Sequence, residues 1–432
     1  VNRDGIGSPY VTGPEQWDGK SVHLNKWTTD PKRFAPARSI FVTVKGAGVG
    51  TLFPGVAAAI GRDVYAFEPA DDVDDGFVMY ALKNSIDELK SHAVGDIPGL
   101  SRSDILDHAV SLPPLDEQRR IVAKLDALRA RSRRAKEALD EVPALLDRLR
   151  QSILASAFRG DLTADWRAAN PDVEPASALL ARIRVERRKR WEEAELAKLT
   201  AKGKAPKDAK WKSKYVEPEP VDESELPELP EGWCWASLRE IADIKGGVTK
   251  GQKRGATSVR RVPYLRVANV QRGYLDLRDV AEIETSDAEL HDLALKDGDI
   301  LFNEGGDRDK LGRGWVWEGQ LPLCVHQNHV FRGRVGEWVE PKLISHYANS
   351  FGQAYFLREA SQTTNLASIN ITKLGGLPLP LMPQGEQQVA LARIEVALAS
   401  IGAFSESVQA ASDARVQLDS AILAAAFRGE LT

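Results

Sequence analysis

A long segment of this chain occurs twice. Residues 114–163 open with Pro-Leu-Asp-Glu117-Gln118 and close with Ile153-Leu-Ala-Ser-Ala-Phe158-Arg-Gly-Asp-Leu-Thr163. Residues 383–432 open with Pro-Gln-Gly-Glu386-Gln387 and close with Ile422-Leu-Ala-Ala-Ala-Phe427-Arg-Gly-Glu-Leu-Thr432. The offset is 269 at both ends, from Glu117 to Glu386 and from Phe158 to Phe427. The middles have diverged while the length has not. A loop absorbs insertions, but one extra residue in a helix turns every later side chain by about 100°. Equal length therefore predicts two long helices whose length is itself constrained.

The apolar spacing agrees. Leu125, Leu128, Leu139, Leu146, Leu149 and Ile153 follow three/four spacing in the first copy; Ile394, Ile401, Phe404, Val408, Leu418 and Ile422 hold the register in the second. Gly160 and Gly429 stand where helices stop. About 40 helical residues make a rod of roughly 60 Å. The economical cover for its stripe is the other copy, as an antiparallel coiled-coil pair with a kink at Pro143.

The flanks repeat more weakly. Residues 99–112 align with 368–381 at the same offset, Pro9-Tyr10-Val11 resembles Pro263-Tyr264-Leu265, and Ser39-Ile-Phe41 resembles Asp299-Ile-Leu301. The expected fold is two α/β (α+β) globules in tandem, separated by the two long helices, a pseudo-twofold internal repeat. The expected division is 1–113, 114–163, 164–227, 228–382 and 383–432: globule, helix, linker, globule, helix. About 30 residues precede Pro263 in the second globule and eight precede Pro9 in the first, so either the first globule has lost its opening strand or the given start lies downstream of the natural one. In the linker, residues 182–214 carry 13 basic and 5 acidic side chains, followed by an acidic, proline-rich run. The basic part reads as a helix facing DNA or an acidic protein, its leucines (Leu179, Leu180, Leu196, Leu199) favouring a protein; the rest reads as an extended connector.

Two cysteines in 432 residues exclude a disulfide scaffold and fit a reducing cytoplasm. The composition predicts no membrane-spanning run. The Asn/Asp-Pro-Pro-aromatic motif of adenine methyltransferases is absent, Asn170-Pro171-Asp172 being a near miss, and Gly246 to Gly251 lacks the Lys of a phosphate loop. Cys324, His326 and His329 form a conceivable metal set, but spacing three on a strand sends the histidines to opposite faces, so a core or DNA-facing role is the better reading and no metal is expected.

Two half-similar globules, each followed by a Pro-x-x-Glu-Gln helix closing in Ala-Phe-Arg-Gly-(Asp/Glu)-Leu-Thr, resemble the specificity (S) subunit of type I restriction–modification enzymes. The stretches Leu229-Pro-Glu-Gly-Trp-Cys-Trp235 and Gly298-Asp-Ile-Leu-Phe-Asn-Glu-Gly-Gly306 resemble that family too. The resemblance implies a non-catalytic, cytoplasmic subunit in a bacterium or archaeon, reading a bipartite asymmetric site in double-stranded DNA. Two methyltransferase (M) subunits, and restriction (R) subunits in the full complex, would be its partners. S-adenosylmethionine, ATP and magnesium would belong to them, with no cofactor on this chain.

DNA contact needs Lys/Arg for phosphate and Arg, Lys, Asn or Gln for base edges. The candidates in the second globule are Lys250, Lys253, Arg254, Arg260, Arg261, Arg308, Lys310, Arg313, Gln327, Asn328, Thr363 and Asn370; in the first they are Arg38, Lys45, Arg62 and Arg102. Each has a bland alternative: a solvated loop, a turn held by local ion pairs, or a buried amide satisfying a turn. A different class of function also stays open, a coiled-coil scaffold bridging two proteins without reading DNA.

Overall fold

The computed structural model describes all residues except 47, 92–98, 204, 205, 207, 252–258, 307, 363–366 and 432. It divides into two compact units, Val1–Pro143 with Phe404–Thr432, and Ala144–Ala403. The two long helices form as the repeat predicts, Leu115–Phe158 and Gln384–Phe427, 44 residues each. The division into units falls inside both helices, so each unit holds a portion of each.

In the first unit, strand Ile40–Thr43 is flanked antiparallel by Leu52–Pro54 and Val64–Phe67. All four of its residues are buried because cores lie on both faces. Ile40 and Val42 pack with Leu52, Leu82 and Leu89, while Phe41 turns the other way onto Phe53, Val11 and Val64. Strand Ser8–Val11 runs parallel to Ala58–Ile60. The helix portions meet antiparallel: Ile121 and Leu125 share a cluster with Leu423 and Ala426, and farther along Ser132 donates to Asp419 at 2.9 Å.

In the second unit the central strand is Ile300–Asn303, again flanked antiparallel, by Gly314–Val316 and Val330–Val335. Strand Val259–Leu265 runs parallel to Val325–His326. The helix portions are antiparallel here too, with Leu154, Ala157 and Phe158 against Ala390 and Ile394. Gly160 ends the first helix in the left-handed region (φ 82°), where a side chain would also strike the Pro230 ring.

The repeated Glu-Gln pair now has a physical meaning. Gln118 and Gln387 are buried, 1% and 2% exposed. Gln118 accepts from the Asp74 amide and donates to the Pro113 carbonyl; Gln387 accepts from the Glu340 amide and donates to Met382. Asp74 and Glu340 are the N-caps of helices Asp75–Asn84 and Pro341–Ser350. One amide thus fastens each long helix to the globule before it. Ser101 and Asn370, 269 apart, likewise each cap a short helix.

Several expectations are corrected. On the packed faces Leu125, Ile394 and Ile401 are buried, and Leu128, Leu139, Leu146, Ile153, Val408 and Ile422 are half-buried. Phe404, Leu149 and Leu418 are exposed. The polar set Ser132, Arg415 and Asp419 occupies part of the face assigned to an apolar stripe. The second helix also contains an 18-residue window of mean hydropathy 1.3, long and apolar enough by composition alone to cross a membrane. Leu179 and Leu180 of the basic helix, Ala176–Ala201, are buried in the second unit rather than displayed to a partner. The connector after it is not extended throughout: Ala209–Lys214 forms a 3-10 turn, and Trp211 stacks on Trp191.

Gln387→Ala should leave the Glu340 amide and Met382 carbonyl unpaired and lower unfolding free energy by about 1–3 kcal/mol. Urea denaturation checks this; a change within about 0.5 kcal/mol would contradict the fastening role.

Candidate nucleic-acid interface

Four segments converge at one end of the second globule. Gln327 donates its amide to the Leu265 carbonyl at 2.9 Å, and Asn328 donates to Val248 at 3.1 Å, which draws 246–250 alongside 327–329. The approach needs glycine: a Cβ on Gly247 would lie 1.9 Å from the His326 carbonyl oxygen. Glu304 donates its amide to the His329 carbonyl at 3.0 Å and accepts from the Ile369 amide at 2.9 Å. Gly305 then pairs with Ser368. So 246–250, 304–306 with 308–310, 327–329 and 367–371 become neighbours.

Of the candidates, this brings together Lys250, Arg308, Lys310, Gln327, Asn328 and Asn370. Lys250 and Arg308 are exposed, and Lys310, Gln327 and Asn328 half-buried. Asn370 is exposed, but its side chain is committed to the Lys373 amide as a cap. Arg260 and Arg261 stand apart on strand Val259–Leu265, paired with Asp287 and Glu282 at 2.9 Å each. Arg313 is half-buried, its amide donating to the Lys310 carbonyl at 3.4 Å. Lys253, Arg254 and Thr363 lie outside the described residues.

The first unit builds the same frame. Gly61 donates to Val11, Val44 donates to the Asp63 carbonyl at 2.9 Å, and Leu100 donates to Val44 at 2.9 Å. Lys45 bridges Gly99 as Gly305 pairs Ser368. Lys45, Arg62 and Arg102 are thereby collected, all exposed. Arg38 is not among them: Asp71 and Asp75 hold its guanidinium by ion pairs at 3.0 and 2.9 Å, Asp75 being the main cause of its raised pKa.

Behind the second frame lies a buried charged layer that sequence reasoning missed. Arg332, 1% exposed, donates to Asp243 at 3.0 Å and to the Asp292 carbonyl; Arg334 pairs with the buried Asp299 at 2.6 Å. Its signal was alternation: two arginines in the otherwise apolar Val330-Phe-Arg-Gly-Arg-Val335 strand. His326 is buried and its Nδ1 lies 2.6 Å from the Val330 carbonyl, so Nδ1 carries the proton. His329 is exposed and meets Glu304. Among the described residues no group of three metal-ligating side chains converges.

The basic helix is held by the second unit's own groups. Arg184 pairs with the buried Glu240, Arg187 donates to the Ala242 carbonyl at 2.8 Å, and Arg182 lies over the Trp338 ring.

Residues 2–143 match the family model for the type I restriction modification DNA specificity domain. The chain is 26% identical over 381 residues to the type I restriction enzyme EcoDI specificity subunit of Escherichia coli, spanning 85% of this chain and 72% of that one. It is 25% identical to the EcoKI specificity subunit of Escherichia coli K12, spanning 84% and 67%. Among solved structures it is similar in fold to the HsdS subunit from Thermoanaerobacter tengcongensis, with TM-score 0.58, 17% identity and coverage of 98% and 90%. A chain from a structural study of assembly and conformational transition in the type I R-M system gives TM-score 0.66, 16% identity and coverage of 98% and 91%.

Burial pushes the His326 and His346 imidazoles down to about 4. The unfolded value is near 6.5, so between these limits the unfolded chain binds more protons than the folded one. Stability should be full above about pH 6.5 and fall toward pH 4, each histidine contributing on the order of 1–2 kcal/mol of loss by pH 5. His326→Gln should flatten the pH dependence of thermal unfolding; an unchanged slope would contradict a buried neutral imidazole.

Proposed function

We propose that the chain is a specificity subunit of the type I restriction–modification family, a reading its relatives support, and that it reads a bipartite, asymmetric site in duplex DNA, one half per unit. The observation that carries this is the shared frame. The same backbone bonds, Val44 to Asp63 and Glu304 to His329, present different side chains in the two units. A pair of readers built alike but lettered differently suits two unlike half-sites. The repeated helix length supports a spacer role, in which the antiparallel pair fixes the separation of the halves.

The chain would act without catalysis of its own, and the division into domains would follow the repeat, with recognition domains at 1–113 and 228–382. Methyl transfer would come from two methyltransferase subunits with S-adenosylmethionine, and cleavage from restriction subunits with ATP and magnesium, in the cytoplasm. Val396, Phe404, Val416 and Leu418 leave apolar surface uncovered on the second helix, which supports docking by such subunits.

Inserting four residues after Ser132, with four after Ile401, adds about 6 Å of helical rise. Methylation mapping in cells should then find both half-sites unchanged and the gap longer by one or two base pairs. Methylation at the original spacing would overturn the spacer role. Lys250→Ala with Arg308→Ala should weaken binding to all sequences alike and make its salt dependence shallower, because phosphate carries no sequence information. Loss confined to one sequence would contradict a phosphate role.

A further inference from the structure

At the shared frame the two units differ in one consequential way. The residue that donates to the 63 or 329 carbonyl, and accepts from the 100 or 369 amide, is Val44 in the first unit and Glu304 in the second. Val44 is 1% exposed and lies in an apolar cluster. Glu304 puts a carboxylate in the equivalent slot, with 29% of its side chain exposed, and its Oε2 lies 2.5 Å from Nδ1 of His329. Placing a carboxylate where the fold accepts valine is unfavourable for stability.

The surroundings narrow what it is for. Glu304 is flanked by the segments bearing Lys250, Arg308 and Lys310, the cations suited to phosphate. A carboxylate among them would repel phosphate, so its contact must be with a hydrogen-bond donor. His329 occupies Oε2, and Oε1 has no hydrogen-bond partner among the described residues. Donors on the major-groove edge of a duplex are the exocyclic amines.

We propose that Glu304, positioned by His329, is a specificity-determining residue of the second unit that accepts a hydrogen bond from an exocyclic base amine, cytosine N4 or adenine N6. This rests on the DNA-reading function proposed above. The first unit, with Val44 in that slot, reads its half-site without such an acceptor.

The test is selection from a randomised duplex library by the full chain assembled with its methyltransferase partner, scored position by position. The wild type's preferred base at the affected position, cytosine or adenine, identifies the amine. Glu304→Val installs the first unit's residue, so the frame is kept; it should reduce preference about tenfold at one position in one half-site and leave the other half unchanged. Glu304→Gln keeps an acceptor and adds a donor, so a cytosine preference should move to adenine, while an adenine preference should persist. His329→Ala should broaden the same position. Selection identical to wild type by Glu304→Val, or equal weakening of every sequence, overturns the assignment while the reading function stands. A wild-type complex that selects no sequence overturns both.

Discussion

The second unit is organised around one buried carboxyl. Glu386 has no exposed side-chain area and sits at the start of the second long helix. A buried carboxylate is tolerable only when its lone pairs are filled. The Thr163 hydroxyl donates to it at 2.6 Å, the Trp233 indole at 2.8 Å, and Arg167 pairs with it. Those partners come from just beyond the end of the first helix and from the opening of the second globule. Removing any one leaves the others around an undersatisfied charge. Where one helix ends, where the other begins and where the globule starts are therefore one decision.

The glutamine beside it solves a different problem. A long helix attached to its globule at one point is free to swing about it. Gln387 and Gln118 bind the N-cap amide of a globule helix and the carbonyl just before their own helix, so each helix leaves its globule at a set angle. Rigid attachment would suit the proposed reading function, which needs the frame's side chains held in register.

Along the helices, apolar contact is concentrated where each unit's globule is near. Ser132, Arg415 and Asp419 form a polar set farther along. Polar positions on a packing face weaken the pair but fix its register, because a shifted alignment would strand them. The apolar residues left outside, Phe404 and Leu418 among them, are then surface for something else.

The repeat, the helix lengths and the stops at Gly160 and Gly429 were legible in the chain, because helical periodicity and insertion intolerance are local properties. His326 and His329 do have opposite fates, buried and exposed, but not by strand alternation: the strand ends at His326, and His329 lies in the turn that precedes Val330. The gathering of Lys250, Gln327, Asn328, Arg308 and Lys310 was legible only as a set of residue types. Arg38, read as a DNA contact, is claimed by Asp71 and Asp75, which lie more than 30 residues away in sequence. Glu304 finds His329 across 25 residues. Such meetings depend on which strands pair and in which register: antiparallel pairing of Ile40–Thr43 with Val64–Phe67, and of Ile300–Asn303 with Val330–Val335, joins residues across intervening segments that leave no local pattern. Sequence determined which elements exist and how long they are; strand pairing in three dimensions decided which side chains stand together at the frame.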